Sequence, residues 1–513
     1  MRVLFVYPNA QGYARIPIGI SLLMTILDQK GHKVELFDTT FMMTGENMDS
    51  AVREKAGLVV PTDTSRFFEK HSTEEIDGIF LKKVKEFGAD MLAVSILEDN
   101  YQLADHLMGV FKREHRDKPV IVGGSTPTVA PEIVMENPNV DYLVQGEGEG
   151  AMAEFCELTE RGKPVEDIMN LWFKKDGKIM HNRIRPFVDI NTMPVQDLRW
   201  WGEGHFLKPY DGKVYRTGYI EMSRGCMNRC SYCINSACQD IFKGAGKYYR
   251  QKTIPNVMKE IKALEEKHRL EMIFFADDNF LLMSRPRLQE FAEAWKREIK
   301  LPYWINSTVE AISRDRLKLL KETGCCGIGL GLESGSEWFR ANVLNKGMND
   351  NRRIKSAFDL MHESGIRTTA NVMIGFPGEH EADIFESIKM IRNVMPKSTN
   401  IHFVAPYTGT ALHAASKMLG YIDTIDRPGF RGMAKDVSMR NGPVVRNPYM
   451  KRERIVEIYY DFMNYVNGKL PMPQEYSALA PGANGSAPER GDMSKDVADV
   501  FRSLNNSGGR NAS

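Results

Sequence analysis

The chain has 513 residues, with Lys+Arg 68 against Asp+Glu 67, a formal charge of +1, 42% hydrophobic and 26% charged residues. That length predicts roughly two to four domains. The balanced charge excludes a global field toward nucleic acid or an anionic membrane, and the composition excludes wholesale disorder. No apolar stretch approaches the ~20 residues that span a bilayer. The segment Met1–Pro8 lacks the apolar core and cleavage site of a signal peptide, so a cytoplasmic protein is expected.

In residues 1–160, the runs Arg2–Tyr7, Lys33–Phe37, Asp90–Leu97, Pro119–Val122 and Val140–Val144 read as five parallel strands buried on both faces. Amphipathic stretches separate them, and Thr39–Ser72 interrupts the rhythm as an insertion. This alternation predicts a doubly wound, Rossmann-like α/β domain. Its ligands belong at the carboxyl ends of the strands. Those ends are Pro8-Asn9, Ser95, Gly123-Gly124-Ser125-Thr126 and Gly146-Glu147-Gly148-Glu149.

Residues 161–217 read as a connector, with a hairpin over Leu171–Asn182 that turns at Asp176-Gly177. Strands are expected next at Tyr219–Met222, Met272–Ala276, Tyr303–Ser307, Gly327–Leu332, Thr368–Ile374 and Ile401–Val404. Six βα units over 218–412 predict a partial TIM-like barrel with its site at the carboxyl strand ends. Residues 413–476 turn helical, with Ile455, Ile458, Tyr459, Phe462 and Tyr465 in one apolar stripe. The Gly/Ala/Ser-rich stretch 477–513 reads as a mostly disordered tail in which Val497, Val500, Phe501 and Leu504 line one marginal helix.

The chemistry concentrates at Ser223-Arg-Gly-Cys226-Met-Asn-Arg-Cys230-Ser-Tyr232-Cys233, three thiols on one loop after the first barrel strand. Thiolates so close together bind iron–sulfur clusters or zinc. A closed zinc site needs a fourth ligand, for which Cys238 and His205 are the candidates. A four-iron cluster held by three thiolates leaves one iron open to substrate.

The x3-then-x2 spacing, with Tyr232 before the last Cys, resembles the signature of the radical S-adenosylmethionine superfamily. Later strand ends resemble that superfamily in order. Asp277-Asp278-Asn279 resembles the segment that meets the methionine amino group. Glu333, in Gly331-Leu-Glu-Ser-Gly335, resembles the contact to ribose or methionine. Ile374-Gly375, in Asn371-Val-Met-Ile-Gly-Phe-Pro-Gly378-Glu379, resembles the backbone bordering the adenine. The domain before the barrel is similar to the cobalamin-binding domain of the cobalamin-dependent members, with Asn9, Ser95, Gly123, Gly124, Ser125, Thr126, Gly146 and Glu147 as the matching contacts. No Asp-x-His-x-x-Gly occurs, so no imidazole is expected beneath a bound cobalt, and Ser95–Glu98 is the loop expected nearest that face.

The resemblance implies a [4Fe-4S] cluster on Cys226, Cys230 and Cys233, S-adenosylmethionine and cobalamin as cofactors, and an electron donor such as flavodoxin or ferredoxin. It implies reductive cleavage to a 5′-deoxyadenosyl radical and methylation of an unactivated carbon of a small-molecule substrate. The rival within the family is a cyclase or rearrangement enzyme. From another class, the rival is a non-catalytic corrinoid- or zinc-binding protein. No motif marks a further catalytic residue or the substrate; Tyr303, Trp304 and Tyr407 are pocket candidates by their place near strand ends.

Overall fold

The computed structural model describes residues 1–9, 15–43, 49–60, 62–63, 65–346, 350–435, 442–477 and 492–506. Two seven-stranded sheets organise them. The first contains β1 (Arg2–Tyr7), β2 (Lys33–Asp38), β3 (Met91–Ser95), β4 (Val120–Gly123), β5 (Tyr142–Val144), β6 (Leu171–Lys175) and β7 (Lys178–His181), in the order β2-β1-β3-β4-β5-β6-β7. The first five strands are parallel. The predicted hairpin β6–β7 adds two antiparallel strands to their edge, turning at Asp176-Gly177 with positive φ at both residues. The order reverses direction between β1 and β3, which makes their carboxyl ends the ligand crevice of this sheet.

The second sheet contains β8 (Leu207–Tyr210), β9 (Lys213–Ile220), β10 (Met272–Phe275), β11 (Tyr303–Ser307), β12 (Cys325–Glu333), β13 (Arg367–Ile374) and β14 (Ser398–Phe403), paired in chain order. Strands β9 to β14 are the six expected parallel strands, and the sheet stays open, a partial barrel. The additional strand β8 comes from the connector and pairs antiparallel with β9. One apolar core runs from Val3 and Phe5 through Leu198, Trp201 and Phe206 of the connector to Ile220, Phe275 and Ile305. The connector is therefore packed mortar between the sheets. Its Trp201 donates its indole N–H to Ser21 Oγ at 2.8 Å.

The insertion carries a helix, Asp49–Lys55, whose Arg53 reaches across to Asn400 Oδ1 on β14 at 2.7 Å. The C-terminal helix Arg452–Val466 buries the predicted stripe against the barrel, with Tyr459 stacked on Phe403 at 4.4 Å. The helix expected within the tail is present, while 478–491 and 507–513 lie outside the described residues. Asp492–Asn506 is a helix whose Val497, Phe501 and Leu504 are buried with Phe339, Phe376 and Leu412. Four apolar side chains at helical spacing find a waiting apolar surface, which outweighs a composition that disfavours order. No helix among the described residues is long and apolar enough to cross a membrane.

Phe501 is completely buried. Phe501→Ala should cost about 3–5 kcal/mol of docking free energy. Hydrogen exchange should then show residues 492–506 losing protection while the barrel strands keep theirs.

Candidate functional site

Strand β9 ends two residues earlier than expected, at Ile220, and the chain then makes a short ladder, Ser223–Arg224 against Arg250–Gln251. Asp277, just past β10, accepts hydrogen bonds from the Met222 amide at 3.0 Å and from the Ser223 hydroxyl. Burial pushes its carboxyl up to about 7 against the pull of those bonds. Asp277 thus ties the end of β10 to the approach of the thiol loop.

The loop itself is fixed from several sides. Gln239 Nε2 donates to the carbonyls of Cys226 and Asn228, both at 2.9 Å. Ser236 Oγ donates to the carbonyls of Cys230 and Cys233. Ser231 donates through its amide to Leu344 O and through its hydroxyl to Val343 O, at 3.0 and 2.6 Å. Cys226 and Cys230 are buried and Cys233 partly so. Burial pushes the Cys233 thiol up to about 11, so a thiolate there needs the positive charge of a metal centre.

Neither candidate for a fourth ligand joins them. Cys238 is buried with Phe242 and Ala245, and His205 Nε2 meets Asp38 Oδ2 at 2.6 Å at the end of β2. Among the described residues no three His, Cys, Asp or Glu side chains are grouped to hold a single metal ion. A mononuclear zinc site requires such convergence; the thiolates of a four-iron cluster each take a different iron and do not. The donor set fits a three-thiolate cluster.

Glu333 ends β12 with φ +65, at a register shift between Gly331 and Glu333. Non-glycine backbone in this region costs of order 1–3 kcal/mol and persists where neighbours fix it. Here Tyr232 Oη donates to Glu333 Oε1 at 3.2 Å, and Lys346 Nζ lies 3.1 Å from the same oxygen and 2.9 Å from Tyr232 Oη. Burial works against the Lys346 ammonium, but Glu333 and the Cys230 thiol outweigh it and raise its pKa. Lys346 escapes sequence reasoning because it lies 13 residues beyond Glu333 in no motif; only its fold places it beside the thiol loop.

The other expected residues divide. Asp278 is exposed. Asn279 is buried, accepting from Ser307 Oγ at 3.0 Å and donating to Thr308 Oγ1 at 3.2 Å. The Ile374 carbonyl accepts from the Val404 amide, and the Gly375 amide donates to Glu379 Oε2 at 2.6 Å. On the first sheet, Asn9 donates to Thr40 Oγ1 at 3.1 Å. Gly123 ends β4 and pairs with Ser95, Gly124 makes the turn, and Ser125 and Thr126 open the helix Ser125–Val129. Gly146 is packed under the Phe242 ring.

Glu147 enters an ion-pair network with the barrel. It lies 2.6 Å from Arg250 and 3.1 Å from Arg224, and Arg224 also meets Glu149 at 2.6 Å and Glu221 at 2.8 Å. Burial disfavours the Arg224 charge, but the surrounding carboxylates more than compensate and raise its pKa. The end of β5 is thereby fastened two residues before Cys226. A second fastening joins Glu98, after β3, to the amide and hydroxyl of Thr408, after β14, at 2.7 and 2.9 Å.

Inside the barrel, β12 presents Gly327, Gly329 and Gly331, across which Trp304, Asn306 and Glu333 lie. Arg53 donates to Asn400 Oδ1, Asn400 Nδ2 to Asn371 Oδ1 at 2.9 Å, and Asn371 Nδ2 to the Leu330 carbonyl. Of the pocket candidates, Trp304 is in this lumen. Tyr303 faces the opposite way, fully buried among Phe275, Phe291 and Trp295, because successive side chains of a strand alternate faces. Tyr407 is half-buried beside Thr408.

Residues 220–391 match the family model of the radical SAM superfamily, and residues 74–156 that of the B12 binding domain. An uncharacterised methyltransferase of Pyrococcus horikoshii is 25% identical over 383 residues, 71% of this chain and 80% of that protein. The anaerobic magnesium-protoporphyrin IX monomethyl ester cyclase of Rubrivivax gelatinosus is 24% identical over 428 residues, 79% of this chain and 68% of that protein. The radical S-adenosylmethionine methyltransferase TsrM of Kitasatospora setae, solved with cobalamin and a [4Fe-4S] cluster bound, superposes with a TM-score of 0.66 at 17% identity, covering 99% of each chain. That structural likeness establishes the shared fold.

Two outcomes follow from this geometry. Cys226→Ala, Cys230→Ala or Cys233→Ala should each abolish cluster assembly, read as iron and sulfide content after anaerobic reconstitution, whereas Cys238→Ala should leave it intact. Arg224→Met strands three carboxylates and should cost about 3–5 kcal/mol. It should appear as a lower unfolding midpoint together with weaker iron retention.

Proposed function

We propose that this chain, which belongs to the cobalamin-binding radical S-adenosylmethionine enzymes, is a methyltransferase acting on an unactivated carbon of a small polar molecule. The observation that carries this reading is the way the two sheets meet. Contacts between Glu98 and Thr408, and packing of Gly146 under Phe242, bring the carboxyl ends of the corrinoid-side strands against the barrel face that carries the thiols. When bound, the reduced cluster supplies cleavage of S-adenosylmethionine and cobalamin supplies the methyl group; an external donor such as flavodoxin or ferredoxin supplies electrons.

The protein's part is to hold and orient. Cys226, Cys230 and Cys233 take three irons. Tyr232, Lys346 and Glu333 form a polar wall beside them, where Glu333 accepts hydrogen bonds from hydroxyl or ammonium donors of S-adenosylmethionine. Asp278 follows β10, with its carboxylate bonded to Asn235. Asn9, Ser95 and the turn Gly123–Thr126 line the corrinoid crevice. Beneath Glu333, the amides of Asn306, Asn371 and Asn400 with Arg53 offer donors and acceptors suited to a small polar substrate. Ring closure, as in the similar cyclase, is the rival reading; this amide row argues against an apolar macrocycle in the lumen.

An anaerobic assay with methyl-labelled S-adenosylmethionine and candidate metabolites, following 5′-deoxyadenosine and product, tests the proposal. Label should enter the product; a ring-closed product without label would overturn methyl transfer. Glu333→Ala should weaken S-adenosylmethionine binding by about 1–3 kcal/mol. Iron content should stay unchanged, and equilibrium dialysis of the reconstituted protein gives the comparison.

A further inference from the structure

Strand parity identifies what lines the floor of the barrel lumen. Phe275 packs on Phe291, and Tyr303 on Trp295, on the helix side of the sheet. Their chain neighbours Phe274 and Trp304, which pair in register, therefore face the lumen. Tyr219 pairs with Phe274 on the same face, and the two rings lie 5.6 Å apart. From β8, Tyr210 joins this floor edge-on to Trp304 at 5.5 Å, its hydroxyl donating to the Cys326 carbonyl at 2.7 Å.

Two cations lie on these rings. Lys208, two residues before Tyr210 and so on the same side of β8, holds its Nζ 5.9 Å from the centroid of Tyr219. Arg15, on the segment between β1 and the helix Ile18–Gln29 of the first domain, holds its Cζ 5.0 Å from the centroid of Phe274. Both distances are those of cation–π contacts. Lys208 is half-buried and Arg15 exposed, so both charges can reach a ligand. Burial, and then the Arg15 guanidinium, push the Lys208 ammonium down to about 7. The fold has thus brought two like charges together where each is costly, one from the connector and one from the first domain. Carboxylates bordering the lumen are held by other cations: Glu221, two residues beyond Tyr219, by Arg224, and Glu333 by Lys346. A ligand oxyanion that meets Arg15 and Lys208 gains charge-assisted hydrogen bonds from both.

We propose that Arg15 and Lys208 form an oxyanion subsite at the aromatic floor of the lumen, so that the substrate of this protein carries a carboxylate or a phosphoryl group. The proposal rests on the methyltransferase reading above, in which the lumen holds the substrate. It narrows a small polar molecule to an anion whose other polar groups meet the amide row, and it gives the first domain a direct part in recognising the substrate.

The test is fluorine-19 line broadening of 4-fluorobenzoate, 4-fluorophenylphosphonate and the neutral 4-fluorobenzamide on the anaerobically reconstituted full chain. At least one anion should bind more tightly than the amide, and the tighter anion identifies the headgroup as carboxylate or phosphoryl. Lys208→Met and Arg15→Gln should each weaken anion binding about tenfold, the loss of one hydrogen bond to a charged group, and leave the amide unchanged. Lys208→Arg keeps the charge and should keep the anion. Iron and cobalamin contents equal to those of the wild type verify that each variant folds. Anions bound no more tightly than the amide, or anion affinity unchanged in both Lys208→Met and Arg15→Gln, would overturn the subsite. In the labelled assay, methylation of an uncharged metabolite would overturn this inference and leave methyl transfer standing. A ring-closed product without label would instead overturn methyl transfer, with the subsite still decided by the fluorine measurement.

Discussion

A guanidinium enclosed by three carboxylates holds the two halves of this protein in register. Arg224 draws Glu147 and Glu149 from the end of β5 and Glu221 from the end of β9, and it lies two residues before the first thiol. A buried charge is tolerable only when its partners are in place. The thiol loop therefore cannot take its position unless the first sheet takes its own. Arg250 adds a second cation to Glu147 from the strand paired with Ser223–Arg224, so the loop's approach is clamped on both sides. The placement of one cofactor's ligands relative to the other's domain is built into a single electrostatic knot.

The barrel uses the absence of side chains with equal purpose. Gly327, Gly329 and Gly331 occupy alternate positions of β12, and a Cβ at any of them would strike Trp304, Asn306 or Glu333. Residues two apart on a strand share a face and stand about 7 Å apart. The lumen is thus layered: an aromatic floor at Trp304, an amide row at Asn306, Asn371 and Asn400, and above it the Glu333–Lys346–Tyr232 cluster next to the thiols. Arg53 ties the insertion of the first domain to that amide row, so a segment that breaks the βα rhythm contributes to the interior of the other domain.

The connector and the chain's end complete the enclosure. Trp201 and His205 of the connector bond Ser21 and Asp38 of the first domain, while β8 pairs with the barrel edge. After the barrel, Phe430 returns to stack on Tyr101 of the first domain at 4.2 Å.

Much of this was legible in the residues alone. Period-2 and period-3.6 apolar patterns report burial locally, so the five parallel strands, the six barrel strands and the stripe on Arg452–Val466 could be read directly. The Cys226-x3-Cys230-x2-Cys233 spacing is legible because all three thiols lie on one loop, within eight residues. What the sequence could not disclose are pairings between distant positions. Glu147 reads as a strand-end contact, and its ion pairs with Arg224 and Arg250, 77 and 103 residues away, are invisible to spacing. Lys346 and Arg53 carry no motif and acquire meaning only when folding brings them to Glu333 and Asn400. Tyr303 and Trp304 are adjacent in the chain, yet one faces the helices and the other the lumen, a parity that depends on which side of the sheet becomes the interior. The helix at 492–506 was legible from its apolar spacing, but not the apolar surface of Phe339, Phe376 and Leu412 on which it docks. Spacing along the chain determined the chemistry; the meeting of separate strand ends decided which residues surround it, because charge and packing act through space.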